Sequence, residues 1–492
     1  MSAKLPANPP ENRGETGPPA ALEKTRVDKY GERLFRNLVT RRSVLKTLGT
    51  ASAAGLMGLT FGDLARAASR KGKRPNIIFI LSDDHRWDYM SCVGHSFVET
   101  RNMDRLANEG VLFSNAFVTT SLCSPSRASF LTGQYAHTHG VKNNLTVWKN
   151  ENVTFMELFK GAGYDTAFIG KWHMPGRLPK LRGVDRFLTF TVQAGQGRYF
   201  DCPLIVDGTE VPSRKPYITE ELTDYALEFI EKNRETPFCL YLSHKAVHHQ
   251  FLPPPELTHL YDNVELKLPK ETDSWIGMTR GNMWTGIFGP MERHLKNYCE
   301  ALVALDGQIG RVLDKLDELG IAEDTIVVYA GDNGYFWGEH RLVDKRWPYE
   351  ESIRIPLIVR YPRLIKDPGR KADQMVLNID VAPSLLSMAG LPVPENMEGE
   401  SFEPILLSES APGRKAWLYE YFKEFPYNVP ECNAVRTDTH IYVEYAGKRP
   451  AELFDVINDP RQMQNLIDTS EGKRLLPELK PLLEGLKEGR KF

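Results

Sequence analysis

The chain has 492 residues, of which 41% are hydrophobic and 26% are charged, a composition typical of a globular protein with a large domain and a smaller one, or with two to three ordinary domains. The net charge of -2 gives no indication of a nucleic-acid partner, because proteins that bind nucleic acids present basic surfaces. It leaves room for a local basic pocket that binds an anionic substrate.

Residues 1–67 are expected to lie outside the fold, as a disordered leader and an export signal. Arg41 and Arg42 precede an apolar stretch over 44–61, and A-R-A at 65–67 is a candidate cleavage site. This order resembles a twin-arginine signal, which implies the twin-arginine export machinery as a partner and a periplasmic or extracellular location. The alternative is a membrane anchor made by an uncleaved signal, although the stretch is short for a span of ~20 residues.

Over residues 75–390, short apolar runs alternate with stretches that have helical periodicity. The run I-I-F-I-L-S, which ends at Asp83 and Asp84, predicts a buried strand, and further strands are predicted at 165–170, 238–243, 325–330 and 354–360. Helices are predicted at 102–110, 127–133, 154–163, 219–235, 292–319 and 377–390, with irregular loops over 252–290. This alternation predicts an α/β domain over 75–390 with a large, mostly parallel central sheet flanked by helices.

The pattern changes after about residue 390. A Pro-rich stretch is followed by predicted strands at 417–422 and 439–445 and by a predicted helix at 472–489. We therefore expect a small C-terminal α+β domain over 391–492 with an antiparallel sheet.

Cys123 opens the run C-S-P-S-R-A-S-F-L-T-G, in which seven specified positions at fixed spacing make a chance match improbable. None of the six cysteines forms a C-x-x-C pair, so a zinc site or a thioredoxin-like motif is not indicated. Buried free thiols are expected for the other five cysteines.

Polar residues follow the predicted strands at the points where they end: Asp83, Asp84, Lys171, His173, His248, Asp332 and Asn333, with Lys345 in a later loop. Because the carboxyl ends of parallel strands meet at one edge of a sheet, these side chains are expected to share one site. Their carboxylate and amide oxygens favour a hard cation, Ca²⁺ or Mg²⁺, over zinc.

The run at Cys123 resembles the signature of the formylglycine-dependent sulfatases, in the alkaline-phosphatase-like superfamily, and the resemblance covers residues 75–466. It implies that a maturation enzyme oxidises Cys123 to Cα-formylglycine, whose hydrate attacks the sulfur of a sulfate ester. It also implies that the metal ligands are residue 123 together with Asp83, Asp84, Asp332 and Asn333.

The resemblance implies roles for the other residues as well. Arg127 holds the hydrate, Asp332 takes the proton of the attacking hydroxyl, and His173 accepts the remaining hydroxyl proton. The sulfate oxygens are bound by Lys171, His248 and Lys345. His248 also protonates the leaving alcohol; the sequence reads His248-His249-Gln250 where many relatives have His-x-Pro, so His249 and His244 stay alternatives, and register favours His248.

Three stretches, at 133–144, 195–201 and 241–251, resemble the glucosamine-6-sulfatase and mucin-desulfating type. They imply a sulfated carbohydrate substrate, 6-O-sulfated N-acetylglucosamine in a glycan. His340, in G-E-H-R, is a candidate sugar contact. Two alternatives stay open. One is a phosphate mono- or diester hydrolase of the same superfamily, and the other is a non-catalytic protein that binds sulfated glycans if Cys123 is not matured.

Overall fold

The computed structural model of the protein describes residues 74–179, 181–269 and 291–492. The leader and the twin-arginine signal at 1–67 lie outside the described residues, as does the later part of the loop region predicted at 252–290. Within the three described ranges, no helix is both long enough and apolar enough to cross a membrane.

A ten-stranded sheet forms the centre of the fold, in the order β13-β2-β12-β9-β1-β8-β4-β5-β6-β7. The middle strands β9, β1, β8, β4 and β5 are parallel, whereas β12 runs antiparallel to β9 and β6 runs antiparallel to β5. The predicted α/β class with a mostly parallel sheet is confirmed. The strands are β1 (Asn76–Ser82), β2 (Val111–Phe113), β3 (Ala116–Phe117), β4 (Asp165–Gly170), β5 (Arg186–Thr189), β6 (Leu204–Val206), β7 (Thr209–Val211), β8 (Phe238–Ser243), β9 (Thr325–Gly331), β10 (Phe336–Trp337), β11 (Val343–Asp344), β12 (Leu357–Arg360), β13 (Arg370–Ala372), β14 (Val376–Leu377), β15 (Ala416–Tyr421), β16 (Cys432–Thr437), β17 (His440–Tyr445) and β18 (Glu452–Asp455).

The register of the central strands brings their carboxyl ends to one edge. Ser82 of β1 lies beside Gly331 of β9, and Leu81 lies beside Ser243 of β8. Ser243 in turn pairs with Gly170 of β4. Because four strands end level with one another, the residues that follow them are placed close together, as expected for an open parallel sheet.

Both faces of the sheet are covered, and β1 shows why. Ile78 and Ile80 belong to one apolar cluster, whereas Ile77, Phe79 and Leu81 belong to the cluster on the opposite face. The side chains of a strand alternate between the two faces, so a continuous apolar run requires cover on both sides. The helices are α1 (Arg101–Asn108), α2 (Cys123–Thr132), α3 (Ala136–His139), α4 (Phe155–Gly161), α5 (Ile218–Lys232), α6 (Met291–Glu318), α7 (Glu350–Ile353), α8 (Val381–Met388), α9 (Glu403–Leu407) and α10 (Ser470–Lys487).

Several predicted elements begin at other residues in the structure, and in two of them a proline lies at the new start. Helix α2 begins at Cys123 rather than at residue 127, because Pro125 lies in the first turn, where its missing N–H breaks no intrahelical hydrogen bond. Strand β12 begins at Leu357 rather than at residue 354, directly after Pro356, which has no N–H to donate to a ladder. The first of these differences places residue 123 itself on a helix N-terminus.

The C-terminal part contains an antiparallel sheet in the order β15-β16-β17-β18, with α10 packed against β15 and β16. The small antiparallel sheet is confirmed, although β16 and β18 were not predicted. This C-terminal sheet with α10 is called the C-terminal subdomain below; its predicted boundary near residue 390 stays a prediction.

Candidate active site

The side chains that follow the central strands form one buried cluster with the N-terminus of α2. Asp83, Asp84, Cys123 and Asp332 each offer an atom that lies within 4.8 Å of those of the other three. All four side chains are fully buried. The expectation that the strand ends share one site with Cys123 therefore agrees with where the structure places these residues.

The pKa values of the two neighbouring carboxyl groups are shifted in opposite directions, because the charges around them differ. Burial opposes ionisation of Asp83, but the charges of Lys171 and Arg127 hold its pKa well below the usual range. Burial raises the pKa of Asp84 to about 7, with Lys345 opposing the rise and the charge of Asp83 adding to it. Three carboxylates this close repel one another, so the cluster depends on positive charge.

Three cationic side chains supply positive charge. Lys171 donates to Asp83, and Lys345 donates both to Asp84 and, at 3.1 Å, to the Sγ of Cys123. Arg127 donates to Oδ2 of Asp332 from Nε at 3.0 Å and from Nη2 at 2.8 Å.

Two oxygen atoms of the cluster fit a cation ligand set. Asp84 Oδ2 and Asn333 Oδ1 are buried and have no hydrogen-bond partner in the described part of the chain. Asn333 is held with its Nδ2 donating to Asp84 at 2.7 Å. Because buried polar atoms are normally paired, unpaired oxygens beside three carboxylates fit an oxygen-coordinated divalent cation such as Ca²⁺ or Mg²⁺.

The thiol of Cys123 is poorly suited to act as a nucleophile. Burial raises its pKa well above the usual value, although Lys171 and Lys345 oppose the rise. Its Sγ lies 3.6 Å from Asp83 Oδ1. A thiol reacts through its thiolate, and the raised pKa keeps the unmodified side chain protonated at neutral pH. All six cysteines are free thiols, and five of them are buried.

Gln196, which the sequence reasoning did not select, connects two predicted site residues. Lys171 donates to Gln196 Oε1 at 2.6 Å, and Gln196 Nε2 donates to His173 Nε2 at 2.7 Å. Burial and the charge of Lys171 lower the pKa of His173 well below its usual value. His173 is therefore neutral and held in a fixed orientation. The signal that could have identified Gln196 was its place in the stretch 195–201.

Of the three candidate histidines after β8, the structure places His248 at the cluster. Its Nε2 lies 3.8 Å from Asp84 Oδ2, and it also groups with Asp83 and Cys123. His249 instead faces Phe251, with 5.5 Å between the ring centroids. His244 is buried, and its Nδ1 has no hydrogen-bond partner among the described residues. The position favoured by register is the one that reaches the carboxylates.

His340 is not joined to the other predicted site residues. Its ring stacks on Tyr349 at 3.9 Å between centroids, and its Nε2 lies 3.7 Å from Glu351 Oε2. No hydrogen bond or ion pair within the described ranges connects it to the cluster. Its role as a sugar contact stays a prediction.

Lys245 is a second residue that the sequence reasoning missed. It is buried and lies 4.9 Å from the ring centroid of Tyr199. Burial and the charge of Lys171 lower its pKa to about 7. A lone Lys two residues after a predicted strand has no pattern that marks it as buried, so only the fold reveals it.

The chain is similar to known proteins over most of its length. The profile of the family described as Sulfatase matches residues 75–391, and the profile described as N-sulphoglucosamine sulphohydrolase, C-terminal, matches residues 338–489. An N-acetylglucosamine-6-O-sulfatase of Bacteroides thetaiotaomicron is 32% identical over 515 aligned residues, which cover 90% of this chain and 91% of that protein.

Solved structures are similar as well. One, of a protein in complex with its substrate D-glucosamine-2-N,6-O-disulfate, has a TM-score of 0.78 and 31% identity, and the match covers 85% of this chain and 98% of that one. A phosphonate monoester hydrolase of Agrobacterium radiobacter has a TM-score of 0.69 at 21% identity, with 85% and 96% covered. The latter likeness shows the fold alone.

Proposed function

Since the chain belongs to the sulfatase family of the alkaline-phosphatase-like superfamily and is a sulfuric ester hydrolase, we propose that it removes the 6-O-sulfate of N-acetylglucosamine in sulfated glycans. Support for the substrate comes from one named relative and one solved structure, each similar to the chain over most of its length. One is named for N-acetylglucosamine 6-O-sulfate, and the other is bound to a glucosamine 6-O-sulfate that also carries N-sulfate.

The proposed nucleophile is the hydrate of Cα-formylglycine, made from Cys123 by a maturation enzyme. The observation that carries this proposal is the position of the Cys123 Sγ, 3.1 Å from Lys345 Nζ and 3.6 Å from Asp83 Oδ1, inside a buried set of oxygen ligands. A hydrated aldehyde has two hydroxyl groups on one carbon, so one can attack while the other later drives elimination.

Asp83, Asp84, Asp332 and Asn333 would hold the divalent cation, Ca²⁺ or Mg²⁺. When bound, such a cation supplies positive charge that favours ionisation of a nearby hydroxyl and stabilises negative charge on the transferred group. The unpaired oxygens of Asp84 and Asn333 support this assignment.

The remaining residues of the chain bind the sulfate and move protons. Lys171, Lys345 and His248 bind the sulfate oxygens, and Arg127 orients the attacking hydroxyl beside Asp332, which accepts its proton. The new bond joins that oxygen to sulfur as the bond between sulfur and the ester oxygen breaks.

Protonation of the leaving alcohol is assigned to His248. In this structure His248 is neutral, because burial and Lys171 lower its pKa. To act as an acid, His248 must therefore take up a proton when the sulfate ester binds. The negative charge of the sulfate offsets the positive charge of Lys171 and so favours this protonation.

His173 then accepts the proton of the second hydroxyl of residue 123. The electron pair left behind forms the aldehyde carbonyl as the bond between carbon and the sulfate oxygen breaks, which releases sulfate. Water adds to the aldehyde and restores the hydrate. The neutral state of His173 supports its role as the acceptor.

The location of the enzyme is also a proposal. Arg41, Arg42 and the apolar stretch after them support export by the twin-arginine route to the periplasm or the outside of the cell. These residues lie outside the described part of the chain.

The test uses protein purified from its native host and Cys123→Ala prepared in the same way. Mass spectrometry of the peptide with residue 123 is expected to show an aldehyde. Wild-type protein is expected to hydrolyse 6-sulfated N-acetylglucosamine and, more slowly, 4-nitrophenyl sulfate, and the variant neither. An intact thiol with no turnover would indicate a glycan-binding protein, and faster turnover of phosphate esters would indicate a phosphoesterase; each result would overturn the proposal.

A further inference from the structure

We propose that Glu424, from the C-terminal subdomain, is a positioning residue for the sulfate-ester chemistry. Its two carboxylate oxygens hold the loop that carries Lys345 and the first turn of the helix that begins at residue 123. This inference rests on the roles proposed above for Lys345 and residue 123. Glu424 lies after β15, outside the motifs that contain the predicted site residues.

One oxygen of Glu424 holds the Lys345 loop through Arg346. Arg346 Nη2 donates to Glu424 Oε1 at 3.0 Å, and its Nη1 donates to the carboxylate of Asp344. Asp344 and Arg346, which flank Lys345 in the sequence, are thereby bound to each other, and Arg346 is bound to the C-terminal subdomain. The guanidinium also lies 3.7 Å from the ring centroid of Tyr427, which fixes its plane.

The backbone of this loop needs such support. Asp344 has a φ of 81° and Arg346 a φ of 90°, which non-glycine residues rarely adopt. A conformation of this kind persists only where surrounding contacts hold it. The hydroxyl of Tyr419, in β15, donates to the carbonyl of Arg346 at 2.8 Å and adds a further contact from the subdomain. Contacts from the C-terminal subdomain, and not the loop alone, therefore fix the backbone that orients the side chain of Lys345.

The other oxygen of Glu424 holds the start of α2. Glu424 Oε2 accepts from the backbone N–H of Asn144 at 2.6 Å, and Asn144 Oδ1 accepts from the backbone N–H of Ser124 at 3.0 Å. The N–H of Ser124 is one of the first-turn groups that have no partner within the helix. Its hydrogen bond therefore fixes the turn that places Cys123.

The two sets of hydrogen bonds from Glu424 lead to Lys345 and to Cys123. The Nζ of Lys345 lies 3.1 Å from the Sγ of Cys123. Glu424 is 2% exposed, so its hydrogen bonds are shielded from water and are correspondingly rigid. A displacement of ~1 Å between a reacting group and its cation can lower a rate on the order of 100-fold. One buried carboxylate thus controls the geometry of two groups that belong to different parts of the chain.

Glu424→Gln tests the proposal, because the amide keeps the shape but loses the charge that holds Arg346. Glu431→Gln is the matched control, in the same subdomain but exposed. Aldehyde occupancy at residue 123 is measured in every sample, so that differences in maturation are corrected. We expect kcat to fall by roughly 10- to 100-fold for both 4-nitrophenyl sulfate and 6-sulfated N-acetylglucosamine, and the control to match wild type.

A double-mutant cycle with Lys345→Ala shows whether Glu424 acts through that lysine. Glu424→Gln is expected to lower kcat less in the Lys345→Ala background than in the wild-type background. Glu424→Asp, which retains the charge on a shorter side chain, is expected to fold and to show an intermediate kcat, and it replaces the Gln variant if that variant does not fold.

Three results would overturn the proposal. A loss confined to the sugar substrate would make Glu424 a determinant of sugar binding. A lower melting temperature with unchanged kcat would leave it a structural role only. Rate factors of Glu424→Gln and Lys345→Ala that simply multiply would show that the two residues act independently. Wild-type activity of Lys345→Ala would be a different failure, that of the role proposed for Lys345.

Discussion

Arg127→Met tests whether the buried cations stabilise the fold as well as the chemistry. In the native structure Arg127 donates twice to Asp332, once to Ser243 Oγ at 2.6 Å and once to the carbonyl of Lys171 at 3.1 Å. Its side chain is 2% exposed, and that of Asp332 is 0% exposed. Met fills much of the same volume but leaves a buried carboxylate without its main cation.

The expected loss follows from this geometry. Breaking a buried ion pair by removing one partner costs about 3–5 kcal/mol. The matched control is Arg101→Met, whose ion pair with Glu99 joins side chains that are 84% and 67% exposed. Exposed pairs of this kind contribute about 0–1 kcal/mol. The two variants lose the same charge and differ in burial.

The assay is urea unfolding of chelator-treated protein, so that no divalent cation compensates for the lost charge. We predict that Arg127→Met lowers the free energy of unfolding by several times as much as Arg101→Met, with a similar dependence on urea concentration. Equal losses in the two variants would refute it, because they would show that the cluster tolerates an unpaired carboxylate.

Three further outcomes are expected. Gln196→Ala should lower kcat by about 10-fold without a change in melting temperature, because it releases His173; unchanged kcat would contradict this. His137, whose pKa is raised by its hydrogen bond to Glu420, should stabilise the protein below its usual pKa and lose that contribution as pH rises through the higher folded value. His137→Gln should therefore lower the melting temperature more at pH 5.5 than at pH 8.5, two conditions on either side of the usual His pKa of ~6.5. A larger decrease at pH 8.5 would contradict this prediction. Ca²⁺ at a hundred times its Kd should stabilise the wild-type protein against unfolding by about 2.7 kcal/mol, and it should stabilise Asp84→Asn much less. Equal stabilisation of the two proteins would show that the ion binds elsewhere.

The sequence was most informative where local pattern and topology agree. Strands β4 and β8 have the predicted bounds, because a buried parallel strand is a short apolar run with polar residues at its end. The strand ends also identified Asp83 and Asp332, since parallel strands bring the residues after their carboxyl ends to one edge of the sheet. The predicted start of α2 at residue 127 was wrong: the helix already begins at Cys123, because proline is tolerated in a first turn and Pro125 therefore fits there.

Contacts between residues far apart in sequence could not be predicted. Glu424 lies about 300 residues from Cys123 along the chain, and nothing in its neighbourhood distinguishes it from a surface carboxylate until the fold buries it. Gln196 likewise acquires its place only when the loop after β5 reaches Lys171. Lys245 is hidden for the same reason, because burial is a property of packing and not of local pattern.

The central claim is that residue 123 acts as a hydrated aldehyde beside a divalent cation. The most direct measurement is a high-resolution crystal structure of protein from its native host, grown with Ca²⁺. We predict a side chain without sulfur at position 123 and an ion bound by oxygens of Asp83, Asp84, Asp332 and Asn333. A retained sulfur atom together with no ion among those four residues would contradict it.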